Sequence, residues 1–473
     1  MVLSREEREQ ERALFESERM RNPHLFERPA MIDGEPFLKW IGIEVLGSDQ
    51  PIGYLRLMPQ DFIVEEINRD GSISSVDTGP LIRDLQLEGS TYYAELVKVG
   101  ISTLDAKTEL AAALGIEEKQ IGFAGIKDRI ALTSQRISIR GIRGHDQLEQ
   151  IAADNFFLKN IERGKGAIAN GDLIGNRFII SLRTPNPFSS DRIPTIQKQV
   201  KEIKQRGFWN FFSFQRFGTP RLISHWLGHL LVKGEYQETT KAFLTYAAPR
   251  ELPYFKNIRN ELTALWGDWH TIQQRIRDFP YHFHLELQLI NHLIQHPDDF
   301  LGALRVIPDQ IRLWMYAYDC YLFNRKLSRL IQEGDVPMAL PLITSFHPQE
   351  WEPYREFLEA DGVKLPSRSY RDFPFIRVES RTWPTLQRAE IHGVVLQSQL
   401  AVFAFSLPKG SYATSLLANF FTLAAGLPIV PGITMEKVDA KELVGLGSLT
   451  PTLERFKAVL DQREQDIIGG SVE

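Results

Sequence analysis

The chain has 473 residues, 43% hydrophobic and 24% charged, with 55 Lys and Arg against 60 Asp and Glu and a formal net charge of −5. That composition is ordinary for a globular protein with room for two or three domains, and no apolar run approaches the ~20 residues of a membrane helix. The lone cysteine, Cys320, excludes an internal disulfide framework and suits a reducing cytosol; with a Glu- and Arg-rich start that is the opposite of a signal peptide, a cytoplasmic protein is expected.

In chain order, residues 1–50 read as a charged extension, helical from Ser4 to Arg21 and irregular around Pro29 and Gly34. From 51 to 218, strand and helix patterns alternate. Pro59-Gln-Asp-Phe-Ile-Val-Glu-Glu66 enters a strand behind a proline, with Phe62 and Val64 on one face. Tyr92 to Lys98 alternates as a second strand. Ser102-Thr-Leu-Asp105 opens a helix in capping-box fashion, and Gly115 ends it. Ile121-Gly-Phe-Ala leads into Gly125-Ile-Lys-Asp-Arg-Ile-Ala-Leu-Thr-Ser-Gln135. This glycine-flanked turn holds the Asp128 carboxylate between Lys127 and Arg129, then runs into an alternating strand from Gln135 to Arg140. By residue type alone it is an ordinary surface turn.

Gly175 to Arg183 forms a further strand, with Phe178, Ile180 and Leu182 on one face by the two-residue period. A helix with Ile196, Val200 and Ile203 on one side and lysines on the other ends near Gly207, and Asn210-Phe-Phe-Ser-Phe-Gln-Arg-Phe-Gly218 follows. From 219 to 386 the pattern is mainly helical, over His225–Tyr246, Glu261–Phe279, Leu285–His296 and Ile311–Glu333. Residues 387–425 return to strand alternation and close on Leu407-Pro-Lys-Gly-Ser-Tyr-Ala-Thr414. Residues 426–473 are a punctuated tail with one late helix, Pro451–Asp466.

His225 with His229, and His292 with His296, have the spacing of two ligands on one helix face, but neither pair carries the glutamate of the zinc hydrolases. Both read as structural or solvent-facing. There is no phosphate-binding glycine loop, dinucleotide fingerprint or nucleophile elbow, so neither cofactor nor metal is expected. The acidic net charge is unhelpful for nucleic acid. Locally, however, Lys119, Lys127, Arg129, Arg136, Arg140 and Arg143 face Asp128 as the one acid between 119 and 143.

The string Ala124 to Gln135 resembles the signature of the TruD family of tRNA pseudouridine synthases. The Pro59 strand, the Gly175-Asn-Arg-Phe178 strand, the Asn210–Gly218 segment and the Leu407–Thr414 closing segment are similar to other family motifs, in the family's order. The chain departs by Phe211 for Tyr, Ser213 for Gly, and Ala167-Ile-Ala-Asn170 where Lys and Arg are usual. The resemblance implies an α+β pseudouridine synthase catalytic fold, a mixed or antiparallel sheet with flanking helices, interrupted by a mainly helical insertion. The parts would be an extension (1–50), a catalytic domain (51–218 and 387–425), the insertion (219–386) and a tail (426–473). It implies tRNA as partner and uridine 13 of the D arm as target. Asp128 would be catalytic, Phe178 would stack on the uracil and Asn176 would orient it. Lys127, Arg129, Gln135, Asn210, Gln215 and Arg216 would contact substrate, with Arg216 also the ion-pair partner of Asp128. A non-catalytic RNA-binding protein or tRNA-folding chaperone on the same scaffold is the alternative, and a helical scaffold for other proteins a third.

Overall fold

The structure is a computed structural model and describes residues 5–28, 30–46, 49–85, 88–342, 348–364, 369–376 and 381–468. The chain divides into two compact units. One comprises residues 30–32, 49–208 and 387–473; the other comprises 1–29, 33–48 and 209–386.

The first unit is built on a mixed sheet of thirteen strands among the described residues. Nine matter below: β1 (Ile52–Tyr54), β2 (Phe62–Asn68), β3 (Thr91–Val99), β4 (Leu132–Ile139), β5 (Phe156–Gly164), β6 (Leu173–Arg183), β7 (Glu390–Gln397), β8 (Leu400–Pro408) and β9 (Thr422–Ala425). β6 lies antiparallel between β2 and β8, so Phe178 stands opposite both Val64 and Phe405. β2 runs parallel to β4, β4 antiparallel to β3, and β3 antiparallel to β5. β7 adds to β8, and β9 runs parallel to β1.

The two-residue period sorts the side chains by face. On one face, Phe62, Val64, Phe178, Ile180, Leu182, Phe403 and Phe405 pack with Ile196, Val200 and Ile203 of the helix Arg192–Arg206. Farther along the same face, Tyr92, Ala94, Leu96, Ile137 and Ile139 pack with Ala106, Leu110 and Leu114 of the helix Thr103–Leu114. Between these two apolar patches stand the polar residues Glu66, Lys98, Thr133 and Gln135, all buried. That seam is where the candidate site is built.

The helix Thr103–Leu114 begins and ends as its sequence requires. The Ser102 side chain accepts the Asp105 N–H at 3.0 Å, capping the first turn, and Gly115 closes the helix at φ +65°, a conformation glycine adopts without strain.

The opposite face carries Ile63, Val97, Val99, Leu132, Phe157, Ile179, Val402 and Ala404, packed with Ala440, Leu449, Phe456 and Leu460. The segment read as a tail therefore supplies a covering layer, in the helices Ala440–Leu443, Thr450–Arg455 and Lys457–Ile468. Lys441, wholly buried, reaches Glu65 at 3.1 Å and Asp77 at 2.5 Å. Thr452 donates its hydroxyl to the Val76 carbonyl at 2.9 Å.

The second unit is mainly helical. Its longest helix, Pro308–Glu333, crosses Ser224–Lys233 so closely that a Cβ on Gly228 would overlap the Trp314 carbonyl. Two of the expected long helices are each broken in two. His225–Tyr246 becomes Ser224–Lys233 and Tyr236–Thr245, because Gly234 turns left-handed at φ +79°. Glu261–Phe279 becomes Pro253–Ala264 and Trp269–Ile276, with Gly267 at φ +99° between them. Each half carries apolar residues of its own, so the break is marked by the glycine rather than by a loss of apolar character.

The covering layer is testable. Phe456, 2% exposed, lies with its ring 5.4 Å from that of Phe157. Phe456→Ala is expected to cost about 3–5 kcal/mol, read as a lowered urea midpoint. An unchanged midpoint would mean the C-terminal helices contribute little to the sheet's stability.

Candidate active site

Asp128 lies in the loop between Phe123 and Leu132, and its carboxylate is 43% exposed. The loop is irregular in backbone but tied at Ala124, Gly125, Lys127 and Asp128. The Ala124 carbonyl accepts the Gly171 N–H at 2.7 Å. The Gly125 carbonyl accepts Gln135 Nε2 at 2.9 Å. The Lys127 N–H donates to Thr103 Oγ1 at 2.9 Å, and that hydroxyl donates to Gln135 Oε1 at 3.1 Å. The Asp128 carbonyl accepts Lys98 Nζ at 2.8 Å.

The strongest tie is the Lys127 ammonium on Glu66 Oε2 at 2.5 Å, with both side chains almost wholly buried. The other Glu66 oxygen accepts the Arg136 N–H at 3.2 Å. Along the loop Ile126 is exposed, Lys127 buried and Asp128 exposed. Lys127 is thus the one inward side chain between two outward ones.

Asp128 is paired with Arg56, whose Nη2 stands 2.9 Å from Asp128 Oδ2. The Arg56 backbone is left-handed, φ +59°, a conformation that costs a non-glycine residue of order 1–3 kcal/mol and persists only where the surroundings impose it. Its guanidinium lies 4.1 Å from the centroid of the Phe62 ring. Phe62 in turn meets Phe178 edge-on at 6.2 Å, and Phe178 stacks on Phe405 at 5.4 Å. Carboxylate, guanidinium and aromatic rings therefore form one continuous series of contacts. Phe178 is only 7% exposed, so it stands as a back wall with little open ring surface. Asn176, two residues earlier on the same face, has a buried Oδ1 with no hydrogen-bond partner in the structure.

The expected site residues fall into three groups. Asp128, Asn176, Phe178 and the exposed Arg129 belong to the sheet unit and to the seam or its rim. Lys127 and Gln135 are buried, and their polar groups tie the loop to Glu66, Thr103 and Gly125. Asn210, Gln215 and Arg216 belong to the helical unit. There Asn210 Nδ2 donates to the Pro384 carbonyl at 3.0 Å, Gln215 is exposed, and the charge of Arg216 acts on Asp319 and Cys320. The ion-pair partner of Asp128 is Arg56 rather than Arg216.

Arg56, Lys98, Glu66 and Thr103 were not marked as site residues from sequence. Glu66 stood inside a recognised strand motif, but Arg56 and Lys98 carry no local signal. Of the histidines, His229 Nε2 is 2.9 Å from the Asp361 carbonyl and His292 Nε2 is 2.9 Å from Asp299 Oδ2. Among the described residues, no group of three or more His, Cys, Asp or Glu gathers as a metal would require.

The chain is similar to known proteins of one family. The family model for tRNA pseudouridine synthase D (TruD) matches residues 41–343. A protein of Methanopyrus kandleri named probable tRNA pseudouridine synthase D is 32% identical over 342 residues, covering 68% of this chain and 83% of that one. One from Methanocaldococcus jannaschii, probable tRNA pseudouridine synthase D 1, is 28% identical over 386 residues, 78% and 95% of the two chains. The crystal structure of a putative tRNA pseudouridine synthase D (TruD) from Methanosarcina mazei superposes with a TM-score of 0.63 at 26% identity, covering 81% of this chain and 97% of that one.

Two consequences follow for the loop. Lys127→Met strands the Glu66 carboxylate in the interior and is expected to cost about 3–5 kcal/mol by urea unfolding, part of which Lys127→Met with Glu66→Leu should restore. A single variant as stable as wild type would show that the pair does not hold the loop. Lys98 is depressed from 10.5 to about 8 by burial, against the opposing pull of Asp128. Between pH 8 and 10.5 the unfolded chain then binds more protons at this group than the folded one, so stability rises with pH there. Below pH 8 the full penalty, roughly 3 kcal/mol, applies. The stability of wild type relative to Lys98→Met should therefore climb from pH 8 to 10; a flat difference would show that Lys98 does not titrate in this window.

Proposed function

The chain belongs to the tRNA pseudouridine synthase D family and is an isomerase, and on that premise we propose that it converts uridine to pseudouridine at position 13 of the tRNA D arm, with Asp128 as the catalytic carboxylate. The observation that carries this reading is the Asp128 side chain itself. It is the open carboxylate of a loop whose backbone is fastened around it, and its one described partner is an arginine.

The reaction breaks the bond from C1′ to N1 and joins C1′ to C5. N1 gains a proton and C5 loses one, so the product is an isomer and no electrons are exchanged. It requires a carboxylate at the sugar, a wall against the detached uracil and a group to orient it. Asp128 acts on the sugar, as a nucleophile at C1′ or as a base at the C2′ hydrogen. Arg56 positions the carboxylate and offsets its charge, and a fixed guanidinium in a partly desolvated site needs no reorganisation as charge moves. Phe178, backed by Phe405 and flanked by Phe62, closes the back of the pocket. A flipped base exchanges stacking on its neighbours for such a wall. Asn176 Oδ1, a buried acceptor without a partner, suits the imide N–H of uracil. Arg129, exposed beside Asp128, is available to a phosphate.

The test is carbodiimide-dependent primer extension on a tRNA transcript. Wild type should give a stop at position 13, and Asp128→Asn none, while RNA binding changes little. Binding without turnover by wild type would turn the reading toward a tRNA-folding chaperone. Arg56→Ala is expected to lower single-turnover rates about a hundredfold. A target deuterated at C2′ separates the two roles of Asp128, since only proton removal there slows with the label.

A further inference from the structure

Two residues before Asp128, Ile126 is 65% exposed. A lone apolar side chain at the surface is common, but this one is held there. The carbonyl before it is bound by Gln135, the N–H after it by Thr103, and the next side chain is locked inward on Glu66. The backbone cannot rotate to bury Ile126 without breaking those ties. Leu104, which follows Thr103 in the chain, is a second apolar side chain left 51% exposed.

If Asp128 acts on the sugar of a uridine, the surface around it faces RNA at the point where a base must leave its stack. Extruding that base costs the stacking of both neighbours, and proteins that unstack nucleic acids insert apolar side chains into the gap. Near Asp128 the loop offers few candidates: Lys127 is buried, Asp128 is committed to the sugar, and Arg129 is charged. We propose that Ile126 is an unstacking wedge, entering the space vacated by the target uridine while Asp128 engages its sugar. This rests on the reading of Asp128 given above. The Lys127–Glu66 pair anchors the residue between the two outward side chains, so wedge and carboxylate are presented on one fastened stretch.

The experiment compares single-turnover pseudouridine formation on an intact tRNA transcript and on one lacking the nucleotide opposite the target, in which the uridine is already bulged. Ile126→Ser is expected to slow the intact transcript on the order of tenfold more than the bulged one, and Ile126→Leu to keep the wild-type ratio. Equal losses on the two RNAs, or no loss, overturn the wedge. A second measurement is independent of turnover. In an Asp128→Asn background, 2-aminopurine 3′ to the target should brighten on binding, and Ile126→Ser should abolish that rise at saturating protein; a full rise overturns the proposal. Wild type inactive on both RNAs would remove the reading of Asp128 and the wedge with it, whereas an unchanged ratio with an active wild type removes the wedge alone.

Discussion

The Lys127–Glu66 ion pair is the contact on which the site depends. Two charges are taken almost completely out of water, a cost recovered only when each finds the other and the remaining lone pairs are used. Here the second Glu66 oxygen takes a backbone N–H from β4, so the carboxylate is satisfied on both sides. Because Glu66 sits in β2, the pair transmits the rigidity of the sheet centre to an otherwise irregular loop. Gln135, Thr103 and Lys98 add ties from β4, the helix Thr103–Leu114 and β3. The Asp128 loop is thus referenced to four separate elements.

The sheet makes this possible by dividing one face into two apolar patches with a polar seam between them. Hydrophobic burial on either side secures the strands, which leaves the seam free to carry groups that would be costly in a continuous core. Locally unfavourable features collect there: a left-handed arginine at 56, an unpartnered buried carbonyl on Asn176, a wholly buried lysine at 98, and an isoleucine left in water at 126. Each opposes local stability, and each is held in place by packing around it. Such concentration is what a site shaped for a reaction is expected to show. The opposite face is closed by Ala440, Leu449, Phe456 and Leu460 and supplies stability.

Much of the secondary structure was legible because it follows from short-range chemistry. The cap at Ser102, the glycine stop at 115, the apolar stripe of Ile196, Val200 and Ile203, and the alternation through Phe178, Ile180 and Leu182 all appear in the structure with the expected residues inward. The two overlong helices were not, because left-handed glycines at 234 and 267 interrupt the backbone between segments that are each apolar on their own. The closing residues, with weak periodicity and many glycines, read as a tail; their role emerged only once a sheet face existed for them to cover.

For the site, the order of residues was enough to single out Asp128 and the strand bearing Asn176 and Phe178, since a motif places such groups by type and spacing along the chain. Direction was another matter. Lys127 and Arg129 flank the same aspartate and look equivalent in sequence, yet one is buried on Glu66 and the other faces solvent, because Glu66 lies 61 residues earlier and arrives through strand pairing. Arg56, 72 residues before Asp128, has no local mark at all. The sequence alone determined the family and the fold class, and it singled out one acid as the candidate. Which cation meets that acid, which lysine holds the loop and which side chains face solvent were decided by tertiary structure, because those choices depend on long-range contacts that exist only after the sheet has formed.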